Sequence, residues 1–153
     1  INAQNILIRL VDSIKFRYQL SALDISTADF DFKLSEDGKS LGDLLTHIYK
    51  LQVATLTCFH PEHLYPPCPV PENLIKDIVL VLNSIRLKLQ NIQQISDFDH
   101  ISIQGLSFWN LINGPLTDTL THIGQINSMK RALHKPIRKA SMLKGIYMRE
   151  ESN

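Results

Sequence analysis

The sequence predicts an all-α protein, a four-helix bundle of up-down type with a long loop after the second helix. Two observations favour this class. Apolar residues recur at three- and four-residue steps in four separate segments, and alternating strand patterns are scarce. The 153 residues are enough for one domain with a sizeable core, so we expect a single domain over residues 1–153.

The first two helices are predicted from their apolar faces and from local end signals. The first covers roughly residues 2–20, with its apolar face running from Ile6 to Tyr18. The second begins at Ser40, a good helix-capping residue, and Asp43 favours its first turn. It is expected to end near residue 58, because five prolines in the stretch 59–71 cannot continue a helix.

The third helix is predicted to start near Pro71 and to continue to about residue 95. A loop over 96–104 follows, in which residues 100–103 could be briefly extended. A short helical turn over 107–112 then precedes the fourth helix.

The fourth helix is predicted to start at Asn113-Gly-Pro115, which reads as a cap followed by a proline at the helix start. It should stop before Pro136, because the residue before a proline avoids helical conformation. The tail over 137–153 is basic and then acidic, and we expect it to be partly ordered.

Composition excludes several classes of function. With 16 basic and 15 acidic residues the net charge is +1, which gives no reason to expect nucleic acid or an acidic membrane as the main partner. No apolar run reaches the roughly 18 residues of a membrane span, and the opening residues lack the features of a signal peptide. Two cysteines do not make a disulfide framework, so a cytoplasmic protein is expected.

Three residues form the leading candidate site. Asp118 and His122 are four residues apart on the fourth helix and therefore share a face, and His47 lies among apolar neighbours on the second helix. Two imidazoles and a carboxylate on facing helices could bind a divalent metal and leave positions open for water or substrate. The alternative is a hydrogen-bonded histidine near the core and a solvated acid in the first helical turn.

A second candidate is the stretch from Cys58 to Cys68, which also contains His60 and His63. These are zinc-type ligands, but their spacing matches no standard zinc finger, so a surface loop rich in histidine by chance is the alternative. The sequence motifs of dinucleotide-binding, phosphate-binding, serine-hydrolase and zinc-protease sites are absent.

Two motifs resemble those of the DinB/YfiT-like superfamily of metal-dependent four-helix bundles. One is Ser40-Leu-Gly-Asp-Leu-Leu-Thr-His47, and the other is His122-Ile-Gly-Gln-Ile126. The resemblance covers roughly residues 1–136 and implies that both histidines are metal ligands. The family commonly has a second histidine where this chain has Asp118, which is compatible with a retained site or with a weakened one. The resemblance also suggests Asn113 and Gln125 as supporting or substrate-contacting residues; a helix-packing amide is the alternative for Gln125.

The resemblance implies a metal-dependent enzyme, either a thiol-dependent S-transferase or a hydrolase that activates water. The metal would be zinc, nickel, iron or manganese, and the partner a small-molecule substrate that could be a low-molecular-weight thiol. Homodimers are common in the family and are compatible with this chain. The alternative is a non-catalytic bundle that binds a ligand or a protein and carries a degenerate metal site.

Overall fold

Four long helices dominate the chain, as the all-α prediction requires. In a computed structural model, residues 2–59, 67–102, 105 and 107–147 are described. The long helices are α1 (Ala3–Ala22), α2 (Leu41–Phe59), α3 (Pro71–Asn91) and α5 (Thr117–Ala132), and the short helix α4 (Phe108–Leu111) precedes the last of them. Within the described ranges, no helix is both long enough and apolar enough to cross a membrane.

Helix α1 packs against α3 and α5, and α2 packs against the same two helices, so α1 and α2 lie diagonally opposite each other. The Tyr18 hydroxyl donates to the Ile75 carbonyl oxygen at 3.1 Å, and the Gln4 amide donates to the Leu89 carbonyl oxygen at 2.7 Å. The end of α1 is therefore next to the start of α3, and the start of α1 is next to the end of α3. These two helices are antiparallel.

The other helix directions follow from contacts of α5. The Ser21 hydroxyl donates to the Asn127 side-chain oxygen at 2.6 Å, and the Lys130 ammonium donates to the Leu23 carbonyl oxygen. These contacts place the end of α1 beside the second half of α5, so the two helices run in the same direction. Gln52, late in α2, donates to Thr119 at the start of α5 over 2.6 Å. Helix α2 is antiparallel to α5 and hence parallel to α3. The up-down order therefore holds within the pairs α1–α2 and α3–α5, whereas α2 and α3 run in the same direction.

The apolar face predicted on each long helix points into one shared core. Burying a large aliphatic or aromatic side chain stabilises a fold by about 1.5–3 kcal/mol, so this core supplies the main driving force for packing. Its most deeply buried members include Val11, Ile14, Tyr18, Leu41, Leu45, Ile48, Ile78, Leu82, Ile85 and Ile126.

The start of α2 confirms the predicted cap. The Ser40 backbone N–H donates to the Asp43 carboxylate at 3.0 Å, and the Asp43 backbone N–H donates to the Ser40 hydroxyl at 3.1 Å. This reciprocal pair satisfies two of the donors that a helix start leaves unpaired. Gly42 packs closely beside it: a Cβ there would lie 3.1 Å from the Cβ of Phe30, so a larger residue would require Phe30 to shift.

Two segments differ from the sequence-based expectation. Helix α3 ends at Asn91 rather than near residue 95, and Ile95–His100 forms a 3-10 helix where a loop was expected. Of the stretch that could be extended, Ile101 has extended backbone, while residues 103 and 104 lie outside the described residues. The Asp97 carboxylate accepts from the Gln94 backbone N–H at 3.1 Å, and this cap favours a helical turn over an extended chain. In the tail, β1 (Ala140–Ser141) pairs with β2 (Ile146–Tyr147) as a short antiparallel hairpin.

A charged cluster ties the end of α5 and the segment after it to the chain that follows α1. The ammonium group of the fully buried Lys130 donates a hydrogen bond to the Leu23 carbonyl oxygen. Lys135 pairs with the buried Asp29 at 2.7 Å, and Arg138 pairs with Asp24 at 3.2 Å. Burial by itself would raise the pKa of Asp29, but hydrogen bonds from Lys135 and Ser26 outweigh it and lower that pKa.

Candidate metal centre

The chain distorts its helix just before the first acidic ligand candidate. Residues Ile112–Leu116 form a π-helical turn between α4 and α5, in which Gly114 departs from helical geometry and Pro115 lacks a backbone N–H. The predicted helix start at Asn113-Gly-Pro115 is thus a kink, and regular helix begins at Thr117. Asp118 consequently lies in the first turn of α5, where the helix dipole favours a negative charge.

The three predicted ligands lie together. Asp118 Oδ2 is 3.2 Å from His122 Nε2 and 3.6 Å from His47 Nε2. The two imidazole rings meet edge to face, with centroids 4.7 Å apart. One ligand atom from each residue lies within 4.8 Å of the others, so this His-Asp-His group could hold a metal ion.

A glutamine fixes the orientation of the buried imidazole. His122 Nδ1 is 2.7 Å from the side-chain oxygen of Gln125, one turn later on α5. An amide oxygen only accepts hydrogen bonds, so this contact requires the proton on Nδ1, and in the neutral ring Nε2 then keeps its lone pair. Metal-binding histidines commonly have such a partner on the nitrogen that does not bind the metal.

The remaining nitrogen of His122 has an unusual environment. His122 Nε2 is buried and makes no hydrogen bond, although Asp118 Oδ2 lies only 3.2 Å away. The two atoms are close, but their geometry does not satisfy a hydrogen bond. With Nδ1 as the protonated nitrogen, a lone pair and a carboxylate oxygen face each other. A cation between them would turn this repulsion into attraction.

The spacing of the three atoms suits an ion. Ligands about 2.0–2.1 Å from a metal lie roughly 2.8–3.4 Å apart at octahedral or tetrahedral angles. The 3.2 Å separation of Asp118 Oδ2 and His122 Nε2 is within that range, and the 3.6 Å separation of Asp118 Oδ2 and His47 Nε2 is slightly above it. All three ligand atoms lie within 4.8 Å of one another, so the side chains have to move closer together to hold an ion. Two imidazoles and one carboxylate therefore fit a divalent transition metal in chemistry and nearly in distance.

The cluster is closed on one side and open on the other. The His122 side chain is 11% exposed, whereas His47 and Asp118 are 37% and 41% exposed. Burial lowers the pKa of His47, and the neighbouring His122 and Lys39 lower it further, against the opposing effect of Asp118. The shift favours the neutral imidazole, which is the form that binds a metal. The open side gives a small molecule access to the cluster.

The structure also places residues that sequence reasoning treated differently or missed. Asn113 is exposed, and its backbone carbonyl accepts from the Thr117 hydroxyl at 2.7 Å, so a substrate contact through its side chain stays a prediction.

Gln52 was not predicted as a functional residue, although a glutamine within the apolar face of α2 was a usable signal. Its amide is buried against Thr119, and its side-chain oxygen has no hydrogen-bond partner within the described part of the chain.

The alternative prediction of a zinc site that uses both Cys58 and Cys68 is wrong, because the two thiols lie far apart. Cys68 Sγ lies 3.9 Å from the Thr46 hydroxyl, near the start of α2, while Cys58 lies in its last turn. Thr46 and Cys58 are separated by about three turns, or roughly 18 Å along the helix axis. The two thiols therefore cannot bind one ion. His60 and His63 fall outside the described residues.

Comparison of the chain with protein-family models, with curated proteins and with solved structures finds no match. The resemblance to the DinB/YfiT-like superfamily thus depends on the two short motifs alone. The case for a metal rests instead on the geometry of His47, Asp118 and His122.

Proposed function

We propose that the chain is a four-helix bundle of the DinB/YfiT-like type and that His47, Asp118 and His122 bind a divalent metal ion. The observation that carries the proposal is the buried, unpaired His122 Nε2 facing the Asp118 carboxylate. A bound cation removes this repulsion and also neutralises the carboxylate. The convergence of ligands from α2 and α5 adds support, because bundles build their metal sites from side chains on facing helices.

The protein's own residues would perform distinct tasks at this site. Gln125 holds the proton on His122 Nδ1 and so presents Nε2 to the ion. Burial lowers the pKa of His47 and so favours its neutral form, which can bind the ion. Asp118, at the kinked start of α5, supplies the negative charge. The partial exposure of His47 and Asp118 leaves one side of the site accessible to a small molecule.

We propose an enzyme that activates a thiol or water, acting as a thiol-dependent S-transferase or as a hydrolase on a small electrophilic substrate. A divalent metal, when bound, lowers the pKa of a coordinated thiol or water and supplies a nucleophile near neutral pH. Three protein ligands leave coordination positions free, which is the catalytic rather than the structural pattern. Zinc, nickel, iron and manganese all suit two imidazoles and a carboxylate.

A non-catalytic bundle is the second candidate, and one observation favours it. Asp118 is 41% exposed, so water can solvate its carboxylate without any ion. In that case the His-Asp-His group is a partly solvated polar cluster, and the protein binds a ligand or a partner elsewhere.

Elemental mass spectrometry of the purified protein separates the two candidates. We expect about one metal ion per chain in the wild type, and essentially none in His47→Ala and His122→Ala. His100→Ala is the matched control, because His100 is exposed and lies outside the cluster. A wild type that takes up no metal from zinc, nickel, iron or manganese, or a His122→Ala variant that keeps it, would overturn the metal assignment.

A further inference from the structure

A second cavity lies beside the start of α1, and its lining differs from the residues of the metal centre. A cavity of about 460 Å³ opens between the first turns of α1 and the chain around α4. This volume is within the roughly 300–1,000 Å³ of small-molecule pockets. Its lining contains none of the three metal-ligand candidates, so the cavity is independent of the function proposed above.

Three aromatic side chains form much of its wall. Phe98 and Phe108 line the cavity with ring centroids 4.8 Å apart and planes inclined by 51°, and Trp109 lies beside them. Trp109 is 76% exposed, which is unusual for the largest apolar side chain. Ile6 completes the mouth from α1 and is 58% exposed. The cavity wall is therefore apolar and presents aromatic ring faces.

Among the described residues that line this cavity, the charged side chain is a carboxylate. Asp99 is exposed and lines the cavity, and it has no hydrogen bond or ion pair with the described part of the chain. No lysine, arginine or histidine is among the described lining residues. Aromatic faces attract cations through their quadrupole, and the Asp99 carboxylate, which lines the same cavity, adds to that attraction. The Asp99 carboxylate would repel an anionic ligand at this cavity.

We propose that this cavity binds an amphiphilic organic cation, namely an amine or quaternary ammonium group on an apolar body. The apolar body occupies the space between Ile6 and the phenylalanines. The cationic group lies at the mouth, against the indole of Trp109 and the carboxylate of Asp99. Neutral apolar molecules of the same shape gain only the first of these two contributions.

Trp109 makes the proposal directly testable, because it is the single tryptophan of the chain. Its fluorescence is titrated with phenylbutylammonium, phenylbutanol and phenylbutanoate, which share one apolar body and differ in charge. We expect the ammonium to bind about three- to tenfold more tightly than the alcohol, and the carboxylate to bind most weakly. Asp99→Asn should reduce the preference for the ammonium over the alcohol to about twofold or less.

A matched pair of variants locates the site. Ile6→Lys places a positive charge at the mouth and should weaken ammonium binding more than alcohol binding. Leu87→Lys makes the same kind of change at a residue with nearly equal exposure, 57% against 58%, outside the cavity lining, and should leave both affinities unchanged. Thermal unfolding of each variant checks that the fold is intact.

Three outcomes would overturn the proposal. The first is equal affinity for the three compounds, and the second is the absence of binding by both fluorescence and titration calorimetry. The third is a Trp109 spectrum that depends on protein concentration together with a dimer in analytical ultracentrifugation, which would assign the exposed aromatic surface to a second copy of the chain.

Discussion

Replacing Asp118 with asparagine should change stability in opposite directions with and without metal. The substitution keeps the shape of the side chain and removes its charge. Without metal, a small rotation of the asparagine side chain would let its amide donate a hydrogen bond to His122 Nε2, which has none in the wild type because Asp118 Oδ2, 3.2 Å away, is not aligned with it. One such bond adds roughly 0.5–1.5 kcal/mol. At about 2–4 °C per kcal/mol for a domain of this size, the melting temperature should rise by roughly 1–6 °C.

With metal present the order should reverse. An ion at a hundred times its dissociation constant stabilises the wild type by about 2.7 kcal/mol, or roughly 5–11 °C. The asparagine variant loses a charged ligand and with it most of this gain. Thermal unfolding followed by circular dichroism, first with a chelator and then with zinc, nickel or manganese, measures both effects. Asp31→Asn is the control, because Asp31 is exposed and lies outside the cluster.

The reasoning is refuted if, in the presence of a chelator, Asp118→Asn has a lower melting temperature than the wild type and this difference in melting temperature grows as the pH falls. That result would mean that His122 is protonated and that Asp118 stabilises it as an ion pair. The cluster would then be a structural feature of the helix interface rather than a metal site.

Three further predictions concern individual side chains. Gln125→Ala should weaken metal affinity about 10–100-fold, whereas Gln125→Glu, which keeps the acceptor, should bind as the wild type does; competition with a chromophoric chelator measures both. Asp29→Asn should remove about 1–3 kcal/mol of stability at neutral pH. Because Lys135 and Ser26 lower the pKa of Asp29, the wild type loses this contribution as the pH falls through that lowered pKa, and urea unfolding of the variant should lack that part of the pH dependence. Gly42→Ala should cost roughly 1 kcal/mol in urea unfolding despite its better helix propensity, because the new Cβ meets Phe30; an unchanged midpoint would show that Phe30 yields freely.

The long helices could be predicted from the sequence because their signals are local. The apolar face of α1 from Ile6 to Tyr18 needs only helical periodicity, and the start of α2 needs only Ser40 and Asp43. The site could be predicted in part for the same reason, since Asp118 and His122 share a helix face whatever the fold. The proximity of His47 to them depends on how α2 packs, which no local pattern contains.

Features that depend on contacts between residues far apart in sequence could not be predicted from local sequence patterns. Lys130 reads as a surface lysine in a basic segment, yet it is fully buried because its ammonium meets the Leu23 carbonyl at the end of a distant helix. The π-helical turn before Asp118 reads as an ordinary proline start, since Asn113-Gly-Pro115 is equally compatible with a cap. The cavity at Trp109 arises where α1 meets the chain around α4 and has no sequence signature.

The diagonal placement of α1 and α2 has a consequence for how the chain folds. Antiparallel contacts join residues far apart in sequence, with separations of 85 for Gln4 and Leu89 and 67 for Gln52 and Thr119. The helices α1 and α2 are neighbours in sequence but do not pack as a pair in the fold. A local antiparallel hairpin of these two helices therefore cannot serve as the folding nucleus. Folding rates fall as contacts become less local, so this chain should fold more slowly than helical proteins built from successive hairpins. During synthesis, α1 meets the first of its two main helix partners only when α3 has emerged.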